Sequence, residues 1–548
     1  MKNPPSRRPR LAFWVHLARV GVVAALLMAI RSPVLEDGLD AGQPPPIEAV
    51  MSVLPSAHTM DDAPNANGMW AVRGEKGEVI ANVARTLPMA ADVVGYRGPT
   101  QALIVFDDDL NVSSVALLDS SDTQEHVDAV INDHPFFDQF RGWPWGGPKG
   151  SVQIDAVSGA TLTSLALADG VLKRIGGDRP SLVFPDPISD QETAEMIDDD
   201  AISARLVRTG PLADAVIGYQ GPTELLLVLN DTNTVQRVKL RRSYDNEPYV
   251  DYVRTERSFW KIFEGKTLTE LAAFDPAAAG VEGVSGATMT SMAVADTIVA
   301  AAQAADAETQ QSAAAESPGI LSTVRFSGAD VATIVTLLLL SLFSRLRWFH
   351  HQTFRRLWLL VVIGVIGLWA GNLISMALLA GWSAEGVAWR LAPGLTAITA
   401  VALLAPPLTK GNPYCNHLCP HGALQQLIRP GSKSKRHLRL PRRVNGLMDW
   451  IPGITLVLAY GLLVTYPSID LSAWEPFHAY LFRIAPWAAI ALAAATLLFA
   501  AVVPMGYCRL GCPTGRLLDH LRRTSTSHRL TLSDGVAVIL IIYAYAIQ

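Results

Sequence analysis

A ten-residue phrase, Asp155-Ala-Val-Ser-Gly-Ala-Thr-Leu-Thr-Ser164, returns as Glu282-Gly-Val-Ser-Gly-Ala-Thr-Met-Thr-Ser291. This repetition limits how the N-terminal half can fold more than any other feature. In both copies a Gly-Ala turn leads into apolar residues at helical spacing: Leu162, Leu165, Leu167 and Val171, then Met289, Met292, Val294 and Ile298. Thr161 and Thr288 therefore fall at helix N-termini, where free N–H groups and the helix dipole favour a phosphate. Gly159 and Gly286 let the backbone approach such a ligand. For one copy alone, a capped helix after a tight turn explains the pattern equally well.

The duplication extends far beyond the phrase. Val-Gly-Tyr-x-Gly-Pro-Thr at Val94–Thr100 reads again at Ile217–Thr223, and Val115, Leu117 and Asp128 match Val238, Leu240 and Asp251. Phe136-Phe137 matches Phe259-Trp260, and Gly142 matches Gly265. Two tandem copies of one domain account for this, at 48–180 and 185–303. Strand-like runs pair within each copy, Ala102–Phe106 with Val112–Leu118 and Glu224–Leu229 with Val235–Arg241, ahead of the Thr-bearing helix. An α+β fold follows. Phe136, Phe137, Trp143, Trp145, Phe259 and Trp260 suit core packing, with stacking on a planar ligand as the rarer use.

Ser-Gly-Ala-Thr-x-Thr-Ser after an acidic residue resembles the flavinylation motif of FMN-binding domains. Such domains occur in sodium-pumping NADH:quinone oxidoreductase, in the Rnf complex and in NosR/NirI-type membrane proteins. The resemblance implies FMN esterified through its phosphate to Thr161 and Thr288 by a flavin transferase. Ser158, Gly159, Ala160, Ser285, Gly286 and Ala287 would complete the two turns. The acidic position is Asp155 in the first copy and Glu282 in the second, a departure that bears on Thr288.

Half of the 548 residues are apolar and 17% are charged, too apolar for an ordinary soluble protein. Acidic residues crowd 36–310, whereas Arg and Lys punctuate the last third beside apolar segments, which leaves no nucleic-acid signature. Lys2, Arg7, Arg8 and Arg10 precede the apolar run Leu11–Ile30, which reads as an uncleaved anchor over 1–31. After a linker at 304–328, a membrane domain over 329–548 is expected. Its apolar spans fall at Val331–Leu346, Leu357–Gly381, Val387–Leu408, Leu447–Tyr466, Ala485–Val503 and Asp534–Ile547, the first and last being short. With the anchor this makes about seven transmembrane helices. Three basic loops alternate with the connections 382–386 and 467–484, which hold almost no positive charge. They include Arg355 and Arg356, then Lys433, Lys435, Arg436 and Arg439, then Arg516 and Arg522. Positive charge on the inner face places the N-terminus and these loops in the cytoplasm, the repeats outside, and the protein in a bacterial inner membrane.

All four cysteines lie in a second repeat: Tyr414-Cys415-Asn-His-Leu-Cys419-Pro-His-Gly422 matches Tyr507-Cys508-Arg-Leu-Gly-Cys512-Pro-Thr-Gly515. Each pair follows an apolar span, so a parallel two-fold arrangement brings four thiolates together. That set suits an iron–sulfur cluster, separate redox dithiols or zinc. His417 and His421 have no counterparts in the second pair and read as local polar residues, and His16 and His478 as interfacial ones. Paired Cys-x₃-Cys-Pro on membrane spans behind exported flavin domains resembles the NosR/NirI and NapH-like families. That implies a 4Fe-4S or 2Fe-2S centre at Cys415, Cys419, Cys508 and Cys512. Members usually add a C-terminal ferredoxin domain, expected to be lacking here, and carry one flavin domain where this chain has two.

The combined expectation is a membrane electron-transfer protein without catalytic residues of its own. It links a cytoplasmic-side Cys₄ centre, supplied by a cytoplasmic or quinone donor, to two covalent FMN groups serving an extracytoplasmic acceptor. Membrane lipid is its other partner. The rivals are a redox-sensing regulator and a zinc-bound structural protein. About 30 Å of hydrocarbon separates the two compartments. A quinone, a partner protein or a close approach of a flavin domain has to bridge it.

Overall fold

The computed structural model describes residues 9–31, 43–148, 154–176, 179–196, 205–314, 324–431, 434–438, 440–467, 469–481, 484–523 and 529–547. Lys2, Arg7, Arg8, Lys433, Arg439 and the part 315–323 of the expected linker lie outside them.

After α1 (Pro9–Met28), the first repeat builds an antiparallel meander: β1 (Thr59–Met60), β2 (Met69–Arg73), β3 (Val79–Arg85), β4 (Thr100–Phe106) and β5 (Val112–Ser120), paired in chain order. The expected hairpin forms with Ile104 opposite Val115. Strand period two splits β4 between two cores. Ala102, Ile104 and Phe106 pack under α2 (Thr161–Ile175) with Leu167 and Val171. Leu103 and Val105 pack with Val50, Trp70 and Val83 on the other face. Covered on both sides, β4 reads as an unbroken apolar run. Phe136, Trp143, Phe259 and Trp260 are buried in the repeat cores, so core packing is their role.

Among its described residues the second repeat has three strands, β6 (Arg205–Arg208), β7 (Thr223–Leu229) and β8 (Val235–Ser243). Leu225, Leu227 and Leu229 face α3 (Glu247–Thr255) and α4 (Thr288–Ala314) through Val250, Val253, Val294 and Ile298.

The last third is helical: α5 (Gly328–Arg345), α6 (Gln352–Trp369), α7 (Met376–Glu385), α8 (Pro393–Leu408), α9 (Pro420–Ile428), α10 (Arg442–Thr465), α11 (Trp487–Ala500), α12 (Pro513–Leu521) and α13 (Leu532–Ile547). Among the described residues α5, α6 and α10 are long and apolar enough to cross a membrane. Within α1 the apolar stretch Trp14–Met28, like α8, α11 and α13, is apolar but shorter. The expected seven spans thus become three by length. Sixteen residues rise only about 24 Å, less than the hydrocarbon thickness. The span expected to be short at Val331–Leu346 is one of the three, because a Ser327–Asp330 capping box starts α5 early.

One further expectation is corrected. Leu357–Gly381 is not one span. A π-turn closes α6, Gly371 adopts φ +64°, and the Ser375 hydroxyl caps α7 by accepting from Leu378 N at 3.0 Å. The connection 467–484 packs inward, with Glu475, Phe477, His478 and Tyr480 buried. The first and last helices are joined by Arg19, whose guanidinium donates to both Asp534 oxygens at 2.6 and 2.7 Å.

Candidate functional site

The glycine turn of each repeat and the threonine motif meet on one carboxylate. Asp122 accepts from the N–H groups of Tyr96, Arg97 and Gly98 at 3.1, 2.6 and 3.1 Å, and from the hydroxyl of Thr163. Asp245 repeats this with Tyr219, Gln220 and Gly221 at 3.0, 2.6 and 3.1 Å and with Thr290 at 2.6 Å. A Cβ on Gly95 or Gly218 would meet the carboxylate at 2.7 or 2.5 Å, which accounts for the glycine in Val/Ile-Gly-Tyr. The last serine of the phrase closes the turn: Ser164 Oγ accepts from Val157 N at 3.0 Å and Ser291 Oγ from Val284 N at 2.9 Å. Sequence reasoning missed both aspartates, although they stand at the repeat offset already visible in Asp128 and Asp251.

With those neighbours holding the scaffold, Thr161 and Thr288 remain exposed as first residues of α2 and α4. Gly159 and Gly286 take φ +92° and +84°. Ala160 and Ala287 are buried, whereas Ser158, Ser285, Asp155 and Glu282 are exposed beside the threonines. Gln139 brackets Asp155, accepting from its N–H at 2.8 Å and donating to its carbonyl at 3.0 Å. An accessible hydroxyl at a helix N-terminus fits a phosphate linkage.

The aspartates differ in charge balance. Burial is the largest influence on each. At Asp122 it prevails and lifts the carboxyl above its ordinary value. At Asp245 the hydrogen bonds from Gln220, Thr290, Tyr219 and Gly221 together outweigh it and hold the carboxyl below that value. Replacing Thr290 with Val keeps the volume and removes one charge-assisted bond, so the second repeat should lose about 1.5–3 kcal/mol in a thermal melt.

The two motif faces differ in their surroundings for a structural reason. In the first repeat the motif face is seated on the helical unit. Val94 and Tyr96 are buried in one cluster with Ile374, Leu378, Trp382 and Phe477, and Leu162 packs against it. The Tyr96 hydroxyl lies 3.2 Å from Ser375 Oγ, and the Arg97 guanidinium donates to the carbonyls of Pro467 and Ile469 at 2.9 and 2.8 Å. Tyr96 stacks on His126 at 4.7 Å, and His478 meets both rings edge-on at 5.9 and 6.0 Å. Burial lowers the His126 pKa to about 4 and keeps the ring neutral. Buried His478 thus packs between the first repeat and the helical unit.

All four cysteines, each a free thiol, line one cavity of about 1130 Å³. The two halves are built alike. Cys419 N bonds Tyr414 O at 2.8 Å and Cys512 N bonds Tyr507 O at 2.9 Å. Cys419 and Cys512 each N-cap the helix that starts at the following proline, their sulfurs accepting from Gly422 N at 3.5 Å and Gly515 N at 3.1 Å. A helix N-terminus favours negative charge on such a sulfur. Asn412 donates to Cys415 Sγ at 3.2 Å, and Gln425 reaches across the pseudo-symmetry to Cys508 N at 3.4 Å. Among the described residues no three His, Cys, Asp or Glu groups stand close enough to hold one metal ion. Four thiols spread around a cavity suit a larger cluster better than a single zinc. The Tyr507 hydroxyl at its wall is buried without a hydrogen-bond partner among the described residues, a donor free for inorganic sulfide. His421, in the wall of the same cavity, pairs with the Tyr480 hydroxyl at 3.1 Å and Thr496 Oγ1 at 3.2 Å, and His417 packs on Phe349.

The docked face and the cavity are neighbours. Tyr414 OH accepts from Ile374 N at 2.9 Å, next to Ser375. Glu475 accepts from Met376 N at 2.6 Å and from the Thr514 hydroxyl, two residues beyond Cys512. Rings run the same way: Tyr96 meets His478, Phe477 precedes it, His421 lies 6.3 Å from Phe477 and 5.3 Å from Tyr507, and Cys508 follows.

Comparison with protein families agrees with this partition. An FMN-binding domain model matches residues 95–175 and 218–303, and a 4Fe-4S binding domain model matches 392–441 and 485–529. No curated protein and no solved structure matches the chain. The expected lack of a ferredoxin-type domain gains no support, because the 4Fe-4S match falls on the cysteine repeat itself. The chain therefore carries tandem FMN-binding domains and a 4Fe-4S binding domain, the cofactor set of a redox electron-transfer protein.

Proposed function

We propose that this protein is a membrane electron-transfer component of the NosR/NirI type, linking an iron–sulfur centre held by Cys415, Cys419, Cys508 and Cys512 to FMN on Thr161 and Thr288. The observation that carries this reading is the seating of the first FMN-binding domain on the unit that holds the cysteines, with Val94, Tyr96, Cys419 and Cys512 in one buried cluster. When bound, an iron–sulfur cluster exchanges single electrons and a flavin exchanges one or two.

The residues divide the remaining work. Asp122 and Asp245 fix the glycine turns, Thr163 and Thr290 tie those turns to the helices, and Thr161 and Thr288 present hydroxyls for a phosphoester made by a flavin transferase. Cys419 and Cys512 place sulfur at helix N-termini, and Gln425 holds the two cysteine halves in register. Ser375, Glu475, Phe477 and His478 replace water between the docked turn and the cavity. In a low-dielectric interior this keeps solvent reorganisation small. Among the described residues, three helices long and apolar enough to span, four shorter apolar helices and the alternation of basic loops support a multi-pass inner-membrane arrangement with both FMN-binding domains outside. The donor is cytoplasmic or a quinone, and the acceptor is extracytoplasmic.

In-gel flavin fluorescence of chain coexpressed with a flavin transferase tests the attachment. Each of Thr161→Ala and Thr288→Ala should remove about half of the signal and the double variant all of it, by simple site counting. Fluorescence surviving in the double variant sinks the assignment.

A further inference from the structure

Internal duplication places the same motif face in the molecule twice, once covered and once open. Val94 and Tyr96 in the first domain are 6% and 8% exposed, whereas their counterparts Ile217 and Tyr219 are 68% and 52% exposed. Leu162 packs against the helical unit, and its counterpart Met289 is 63% exposed. Tyr252, also exposed, lies 3.5 Å from where a Cβ on Gly286 would stand, and the Tyr219 ring sits 5.6 Å from Tyr249. An apolar, tyrosine-rich patch thus surrounds the exposed Thr288. Such a patch marks an interaction site.

We propose that this open face docks a soluble redox protein carrying an apolar contact patch ringed by basic residues at its cofactor edge. The proposal rests on the electron-transfer reading above and adds the surface and the partner class. Two observations select the occupant. In the first domain the corresponding face is covered by the unit that holds the cysteines, so what sits on this face there is a redox unit. The rim of the open face is net acidic: Glu247 and Asp251 on α3 and Glu282 in the motif are exposed, and the single cation among them, Arg254, is paired to Glu247 at 3.8 Å and to Asp251 at 2.5 Å. An acidic rim repels an anionic bilayer surface and would face itself across a two-fold axis, which disfavours lipid and a second copy. Basic residues on a partner complement it.

The test uses the full chain in nanodiscs, with and without flavin, and a small lysine-rimmed c-type cytochrome as the probe. Expected is binding to the parent chain that weakens between about 20 and 200 mM salt. Ile217→Arg and Glu247→Lys should each weaken it at least about tenfold while the FMN content and melting temperature stay at parental values. Binding should persist in the Thr288→Ala chain, whose second domain carries no flavin, which separates failure of the surface from failure of the attachment. Unchanged affinity in both charge variants overturns the proposal. So does a parental dimer that Ile217→Arg makes monomeric, or parental attachment of the face to anionic vesicles in place of the probe.

Discussion

Gly381→Val should detach the first FMN-binding domain from the helical unit. A Cβ on Gly381 would collide with the carbonyl and Cγ of Arg97 and stand 2.7 Å from its Cα. Two of those three atoms are backbone, so no rotamer change relieves the clash. The glycine turn is itself fixed by Asp122 through three N–H bonds and cannot retreat alone. The whole domain must lift, exposing Val94, Tyr96 and His126. The molecule supplies its own scale: hydroxyl-radical footprinting of Tyr96 and Leu162 should rise to the level of Tyr219 and Met289. Opening should become favoured by about 100-fold or more, near 3 kcal/mol at 1.4 kcal/mol per decade. Arg97→Gln, which installs the residue found at the equivalent Gln220, removes the bonds to Pro467 and Ile469 without a clash and should shift footprinting in the same direction by less. Protection of Tyr96 unchanged in both variants would show that the domain does not dock through this face.

The second large effect is expected at the cysteines. Serine at any one of Cys415, Cys419, Cys508 or Cys512 should abolish the iron–sulfur absorption and EPR signal of anaerobically purified protein, because all four line one cavity. Two independent dithiols would behave otherwise: a change at Cys415 would leave the Cys508–Cys512 half intact. Flavin fluorescence on Thr161 and Thr288 should survive every one of these substitutions, since each FMN-binding domain has its own core. Stoichiometric zinc in the parent protein, in place of iron and sulfide, would refute the cluster.

Much of this was legible in the chain. The hairpin of β4 and β5, the threonines at helix starts and the paired Cys-x₃-Cys-Pro segments are local patterns, and local patterns repeat visibly when a domain is copied. The clamping aspartates were less legible, because Asp122 acts on residues 24 to 41 positions away. The break inside Leu357–Gly381 was hidden by composition. Hydropathy averages over Gly371, Asn372 and Ser375, whereas their backbone geometry and hydrogen bonds end the helix.

The sequence by itself determined two FMN-binding domains and one cysteine-bearing helical unit, since those depend on short spacings and side-chain chemistry. It could not decide that the copies differ in use. Val94 and Ile217, or Leu162 and Met289, are interchangeable by hydrophobicity. Only the tertiary structure covers one set with Ser375, Phe477 and His478 and leaves the other in solvent. The physical reason is that docking depends on complementary shape over distant segments. Gly381 admits the backbone of Arg97, and the carbonyls of Pro467 and Ile469 wait for its guanidinium. The same long-range packing brings Val94 and Tyr96 of the first glycine turn into one buried cluster with Cys419 and Cys512.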